Sequence, residues 1–223
     1  RDANHVVNPG FDENADGKAR GWSHYGAGYT LVREGRDGSW CVRCRSDAGG
    51  QTLGAAQEIV FDPPVQHPLL ISGWSKAASV EDGEYSVYLD VHYADGTPLW
   101  GQQALFDRGT HDWSLAETIF TPAKPVARIQ TFVLFRNAKG TAWFDDIRVS
   151  LAPQRFTRTT VLGGFTGAGR IEALASVSLP STWQTQVRQR ERVVFTQQGE
   201  GVSQRIAWNG RDADGQLVPS GEC

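Results

Sequence analysis

The chain is 223 residues long, enough for one large β-sandwich or two smaller domains, and its formal charge is −3 with both signs interspersed. That balance offers no basic footprint for nucleic acid and no polybasic patch for an anionic membrane, so neither partner is expected. No apolar run approaches the roughly 20 residues of a membrane-spanning helix, and no long stretch repeats at helical period.

Glycine contributes 25 residues and proline 10, set among short runs rich in Val, Ile, Thr and aromatics. This is the pattern of an all-β chain with many turns. Residue 1 is arginine and methionine is absent, so the chain reads as a processed or excised piece of a longer polypeptide, its signal peptide already removed. Period-two alternation predicts strands near 28–34, 39–46, 55–61, 68–79, 84–93, 98–106, 113–121, 127–136 and 141–151. Between them lie turn residues: Asp37-Gly38, Asp47 to Gly50, Asp62-Pro63-Pro64, Glu81-Asp82-Gly83, Asp95-Gly96 and Asn137 to Gly140. So many short strands fit a two-sheet sandwich or jelly roll.

The pattern resets near Ala152-Pro153, which predicts a first domain over 1–151 and a second over 152–223. In the second, Gly163 to Gly169 is a glycine-rich, flexible stretch, and Arg170 to Leu179 reads as a strand. Arg192 to Phe195 and Ser203 to Trp208 follow as further strands, before a tail from Asn209 to Glu222. Of the three cysteines, Cys41 and Cys44 lie on one predicted strand at an odd separation, hence on opposite faces and unsuited to a mutual disulfide. Both are read as ordinary strand cysteines.

Gly140-Thr141-Ala142-Trp143-Phe144-Asp145-Asp146-Ile147-Arg148-Val149 places two carboxylates inside an otherwise apolar strand. Straight alternation puts Trp143, Asp145, Ile147 and Val149 on one face and Phe144, Asp146 and Arg148 on the other. Asp145 then points with the apolar set, and a buried carboxylate requires a cation, an arginine or strong donors beside it. Calcium is the economical companion in a secreted β-protein.

Asn8-Pro9-Gly10-Phe11-Asp12-Glu13, then Gly21-Trp22, then the Trp-Phe-Asp-Asp-Ile strand resemble the two ends of the jelly-roll carbohydrate-binding modules of the family four, nine, sixteen and twenty-two group, over roughly residues 5–151. The resemblance implies that the termini lie side by side. It also implies a structural calcium shared by Asp12 and Asp145, with Asp37 in an early turn contributing. Asp12 stands where glutamate is more usual. The tail Asn209-Gly210-Arg211-Asp212-Ala213-Asp214-Gly215, with Val218-Pro219-Ser220-Gly221, resembles the closing signature of the Ig-like domain at the end of the flagellar hook-capping protein. That family has tyrosine where Cys223 stands and one strand more, so the second sandwich is expected to lack its last strand.

Catalysis needs a nucleophile with its base, facing carboxylates or an open metal. Asp145 and Asp146 are adjacent and cannot flank one glycosidic bond, and His5, His24, His67, His92 and His111 show no metal-ligand spacing. The chain alone is expected to hydrolyse nothing. Its eight Trp and five Tyr suit sugar stacking instead. On strand 84–93 the aliphatic set Val87, Leu89 and Val91 claims the core with Tyr85, leaving Tyr88, Asp90 and His92 outward. Trp74 beside Lys76, and Trp100 on the adjoining strand, complete the expected carbohydrate-binding set: Trp74, Tyr88, Asp90, His92 and Trp100.

These readings lead to a non-catalytic carbohydrate-binding module on a concave sheet, with an Ig-like spacer, cut from a secreted or cell-surface bacterial glycoside hydrolase or polysaccharide lyase. Its partners would be a polysaccharide or oligosaccharide and the catalytic domain of the parent polypeptide. A purely structural sandwich packed on a catalytic domain and a protein-interaction or adhesion module stay open as alternatives.

Overall fold

The strands are antiparallel throughout and no helix occurs among the described residues of the computed structural model, namely 3–152, 156–161, 171–189 and 192–218. The chain forms two compact units, Arg1–Ala152 and Pro153–Cys223.

In the first unit the strands in chain order are β1 (Asn14–Ala15), β2 (Lys18–Ala19), β3 (Ser23–Gly26), β4 (Thr30–Val32), β5 (Cys41–Ser46), β6 (Thr52–Val65), β7 (Leu69–Glu81), β8 (Glu84–Tyr93), β9 (Pro98–Leu105), β10 (Gly109–Phe120), β11 (Val126–Arg136) and β12 (Lys139–Leu151). All nine strands expected from alternation are present. The short β1, β2 and β3 were not expected. One five-stranded sheet has the order β10-β7-β12-β5-β4, the other β3-β6-β11-β8-β9, and β1 pairs only with β2. The fold is an all-β sandwich of the jelly-roll kind.

Successive side chains leave the pleat on opposite faces, so one face of each sheet supplies the shared core. From the first sheet Val42, Cys44, Ile71, Phe144, Ile147 and Val149 enter the shared core; from the second come Tyr85, Val87, Leu89, Val91, Ile129, Val133 and Phe135. Burying each such side chain contributes about 1.5–3 kcal/mol before entropy is counted. Tyr85 is core, as its place among the aliphatics predicted, and its hydroxyl meets Ser75 Oγ. Cys44 joins this core while Cys41 does not, so the two thiols do take opposite faces. Burial pushes the Cys41 thiol up to about 12 and the Cys44 thiol higher still.

The two ends of the unit lie together. His5 N–H donates to Val149 O at 2.8 Å, Ile147 N–H to Pro9 O at 3.0 Å, and Val149 N–H to Asn4 Oδ1 at 3.0 Å. Asn8 ties the opening loop: its Nδ2 donates to Glu13 O and Arg20 O, while its Oδ1 accepts from Glu13 N–H. Phe11 is fully buried beside Trp22, whose Nε1 donates to Asn8 O. The Asn-Pro-Gly-Phe and Gly-Trp motifs are thus one interlocked corner.

Among its described residues the second unit forms one antiparallel sheet, β13 (Phe156–Val161), β14 (Ile171–Gln189) and β15 (Arg192–Trp208), in that order. The two short strands expected at 192–195 and 203–208 are one long strand. Val194, Trp208 and Val218 form a small core with Val187 and Phe195 against it. In the tail Asp212 Oδ1 accepts from Asp214 N–H and Gln216 N–H, which closes a turn between the bridged residues Arg211 and Leu217. The Gly163–Gly169 stretch and the end from Pro219 to Cys223 lie outside the described residues, and an Ig-like sandwich is not established by a single three-stranded sheet.

Candidate functional site

The sheet β3-β6-β11-β8-β9 carries apolar residues on both faces. Away from the core, Ala56, Phe132 and Leu134 form a second cluster with Tyr25 and Tyr88 packed against it. On β6 the partners of Tyr25 and Phe132 are Gly54 and Ala56, small enough to let the Tyr25 ring reach Phe132 across the strand between them. Ring centroids are 4.6 Å apart for Tyr25 and Phe132 and 5.9 Å for Tyr88 and Phe132. Arg136 lies 5.9 Å from the centre of the Tyr88 ring and pairs with Glu84.

Polar groups border these rings. Gln103 is opposite Tyr88, and Gln130 is opposite Asp90. Asp90 Oδ1 and Gln103 Oε1 are buried yet have no hydrogen-bond partner, a condition that costs about 1–3 kcal/mol for each unmade bond. Burial first, then the Asp90 carboxylate, pushes the Tyr88 phenol upward. At the β9 border His92 and Trp100 meet edge to face at 5.3 Å, and Trp100 is 57% exposed. Aromatic faces of this kind can take the flat C–H surface of a sugar ring.

Four residues of the expected set, Tyr88, Asp90, His92 and Trp100, therefore share this face. Trp74 does not: it belongs to β7 in the other sheet, and the Arg36 guanidinium covers its ring at 3.7 Å. Alternation orders residues within a strand but cannot tell which strands become neighbours, so the grouping of Trp74 with β8 fails. Tyr25, Phe132, Gln103 and Arg136 were missed. Both alternating sets of β11 are apolar, so its pattern named no outer face, and β3 was not expected as a strand.

The second cluster of interest is around Asp145, which is 2% exposed. Its Oδ2 accepts from Arg36 N–H at 3.0 Å and its Oδ1 from Asp146 N–H at 2.8 Å. The alternation expected across this strand is broken. Asp146 has φ +49 and the pairing with β7 shifts between Asp145 and Arg148, a bulge that inserts a residue and reverses parity. Phe144, Ile147 and Val149 all face the core, whereas Asp145 shares the opposite face with Trp143 and is buried by the opening loop and the turn at residues 35–40.

A side-chain carbon at Gly10 would lie 3.3 Å from Asp12 Oδ2, 3.5 Å from Asp145 Oδ1 and 3.7 Å from Asp146 Oδ1, so three carboxylate oxygens border one small space. A carbon at Gly35 would meet Ser39 Oγ, the Trp40 carbonyl and Asp145 Oδ2 within 2.9 Å. Burial, with the Asp146 and Asp12 charges behind it, raises the Asp145 carboxyl to about 6 against the pull of the Arg36 and Asp146 N–H groups. Asp12 Oδ1 is held by Trp40 N–H at 3.1 Å. Asp37 plays no such part: it is exposed at the tip of a turn closed by Gly35 N–H to Ser39 O, and the turn reaches Asp145 through Arg36 instead. The guanidinium of Arg36 pairs with Asp146. No three His, Cys, Asp or Glu side chains among the described residues form a metal-holding group, so a cation here needs backbone oxygens to complete its shell. The approach of the Asp12 and Asp145 oxygens beside Gly10 suits a hard, oxygen-seeking ion.

No family model matches the chain. It is 31% identical over 151 residues to the tRNA3(Ser)-specific nuclease WapA of Bacillus spizizenii, which covers 64% of this chain and 6% of that protein. It is 40% identical over 93 residues to the tRNA nuclease WapA of Bacillus subtilis strain 168, covering 40% of this chain and 4% of that protein. The matched stretch is thus a small fraction of these relatives' length. Among solved structures, the enzymatically active domain of tailspike protein 4 of bacteriophage CBA120 superposes with a TM-score of 0.51 at 12% identity, covering 67% of this chain and 21% of that one. A Family 16 Carbohydrate Binding Module-2 gives 0.46 at 20% identity, covering 66% and 99%. The tailspike likeness is one of fold alone.

Proposed function

We propose that residues 1–152 bind a polysaccharide on the outer face of the β3-β6-β11-β8-β9 sheet, without catalysis, and serve as an accessory module of a larger bacterial secreted or cell-surface polypeptide. The observation that carries this reading is the row Tyr25, Phe132 and Tyr88, continued at the β9 border by His92 and the exposed Trp100. A pyranose laid on the rings would stack its C–H face there, and Trp100 with His92 would extend the platform. The benefit to the parent polypeptide is proximity, since linked binding raises the local concentration of a substrate or surface. The tRNA-nuclease activity in the relatives' names belongs to proteins of which the match is 6% or less; the identity of any catalytic partner is not part of the reading.

A calcium ion held by Asp12 and Asp145 belongs to the same proposal. Bound there, it would supply positive charge between carboxylates that otherwise repel. Asp12 comes from the opening loop and Asp145 from β12, so the ion would reinforce the junction of the two ends.

A glycan array probed with the whole chain identifies the ligand, and titration calorimetry of Tyr88→Ala and Trp100→Ala then tests the face. Each lost ring should weaken binding by about 1–3 kcal/mol, by analogy with base stacking on aromatic side chains. Wild-type affinity in both folded variants moves the site off this face, and no array signal at all favours a purely structural sandwich. In that case the near-complete burial of Leu134 and Phe132 reflects packing alone.

A further inference from the structure

The outer face of the opposite sheet carries a separate arrangement. Trp143 of β12 is paired with Lys76 of β7, and Trp113 of β10 lies one residue before the Ser114–Ser75 pair. The Lys76 ammonium stands 4.7 Å from the centre of the Trp143 ring and 5.5 Å from that of Trp113. All three side chains are partly exposed, and Leu115 beside them is 48% exposed.

The neighbouring charges are already engaged. Glu34 accepts from Trp143 Nε1 at 2.6 Å and pairs with Arg43. Asp112 Oδ1 accepts from Trp113 N–H at 2.8 Å. Arg36 is stacked on Trp74 and paired with Asp146. Among the described residues Lys76 has no carboxylate within ion-pair distance. Contact with a ring face leaves the three N–H donors of an ammonium unused, so Lys76 is a positioned cation with donors to give, flanked by two rings on which a sugar can stack.

We infer that this face is a second ligand site, which takes a carboxylate-bearing sugar residue of an acidic polysaccharide, its carboxylate on Lys76 and its C–H face on Trp113 or Trp143. One cation matches one carboxylate per sugar. Nucleic acid binding draws on several phosphate contacts at once, which a single lysine on a chain of net charge −3 does not supply.

The test is affinity gel electrophoresis of the whole chain at low ionic strength through polygalacturonate, with neutral galactan and yeast tRNA as parallel additives. Polygalacturonate should retard the wild type. Lys76→Gln and Trp113→Ala should weaken that retardation by about tenfold or more, as expected for loss of a charge-assisted hydrogen bond or a stacked ring. Lys76→Arg should keep it. Lys18→Gln, an exposed lysine elsewhere, should migrate like wild type. Thermal melts of each variant confirm folding, and if Trp113→Ala is unfolded, Lys76→Gln carries the test. An unretarded wild type overturns the inference, as does an equal loss in Lys18→Gln, which would mean charge alone. Loss in Tyr88→Ala would assign the binding to the first face, and equal retardation by tRNA would assign it to phosphate.

Discussion

Asp145→Asn probes the buried carboxylate and the proposed ion together. Asparagine keeps one of the two acceptor oxygens, so either Arg36 N–H or Asp146 N–H loses its partner. An orphaned buried N–H costs about 1–3 kcal/mol. Relief of repulsion with Asp12 and Asp146 offsets part of this, leaving a net loss of about 1 kcal/mol in chelator. In calcium at a hundred times its dissociation constant the wild type should gain about 2.7 kcal/mol. For a unit of this size that is a rise of about 5–10 °C in midpoint. The variant, without the buried anionic ligand, should gain little. The assay is differential scanning calorimetry of both proteins in calcium and in chelator. Superimposable wild-type melts in the two buffers would refute the ion, and equal calcium shifts in both proteins would refute the role of Asp145. The sign with pH is also set. Because the fold raises this carboxyl to about 6 from an unfolded value of about 3.9, its contribution in chelator is present below the unfolded value and lost as pH rises through 6. Calcium stabilisation should grow over the same interval, since the ion competes with the proton.

Gly54→Ala should be strongly destabilising, by several kcal/mol in a denaturant melt, because Gly54 has φ +154 and an added carbon would lie 2.1 Å from the Val133 carbonyl; a stable variant would mean that β6 and β11 can separate locally. Cys41 and Cys44 should resist an aromatic disulfide reagent at pH 8 in native buffer and react on unfolding, since burial raises both thiols and hides them; prompt native labelling would contradict the packing of β5. The purified chain should release no reducing ends or unsaturated products from a polysaccharide panel, and release abolished by one Asp or Glu substitution would disprove the non-catalytic reading.

Much of the first unit is legible in the sequence because alternation and turn chemistry act locally. The nine expected strands, the core side of β8 and the division of Cys41 from Cys44 follow from period two and turn chemistry, and the meeting of the two ends was implied by the family resemblance of the short end motifs. Three things depended on the tertiary structure. The bulge at Asp146 reverses parity in β12, a single inserted residue that a strict two-residue period cannot anticipate. The sheet order separates Trp74 from Tyr88, because strand neighbours are chosen by long-range pairing rather than by any one strand's pattern. Finally, Phe132 and Tyr25 join Tyr88 only because Gly54 and Ala56 on the intervening strand are small, a fit that exists between strands distant in sequence and has no local signature.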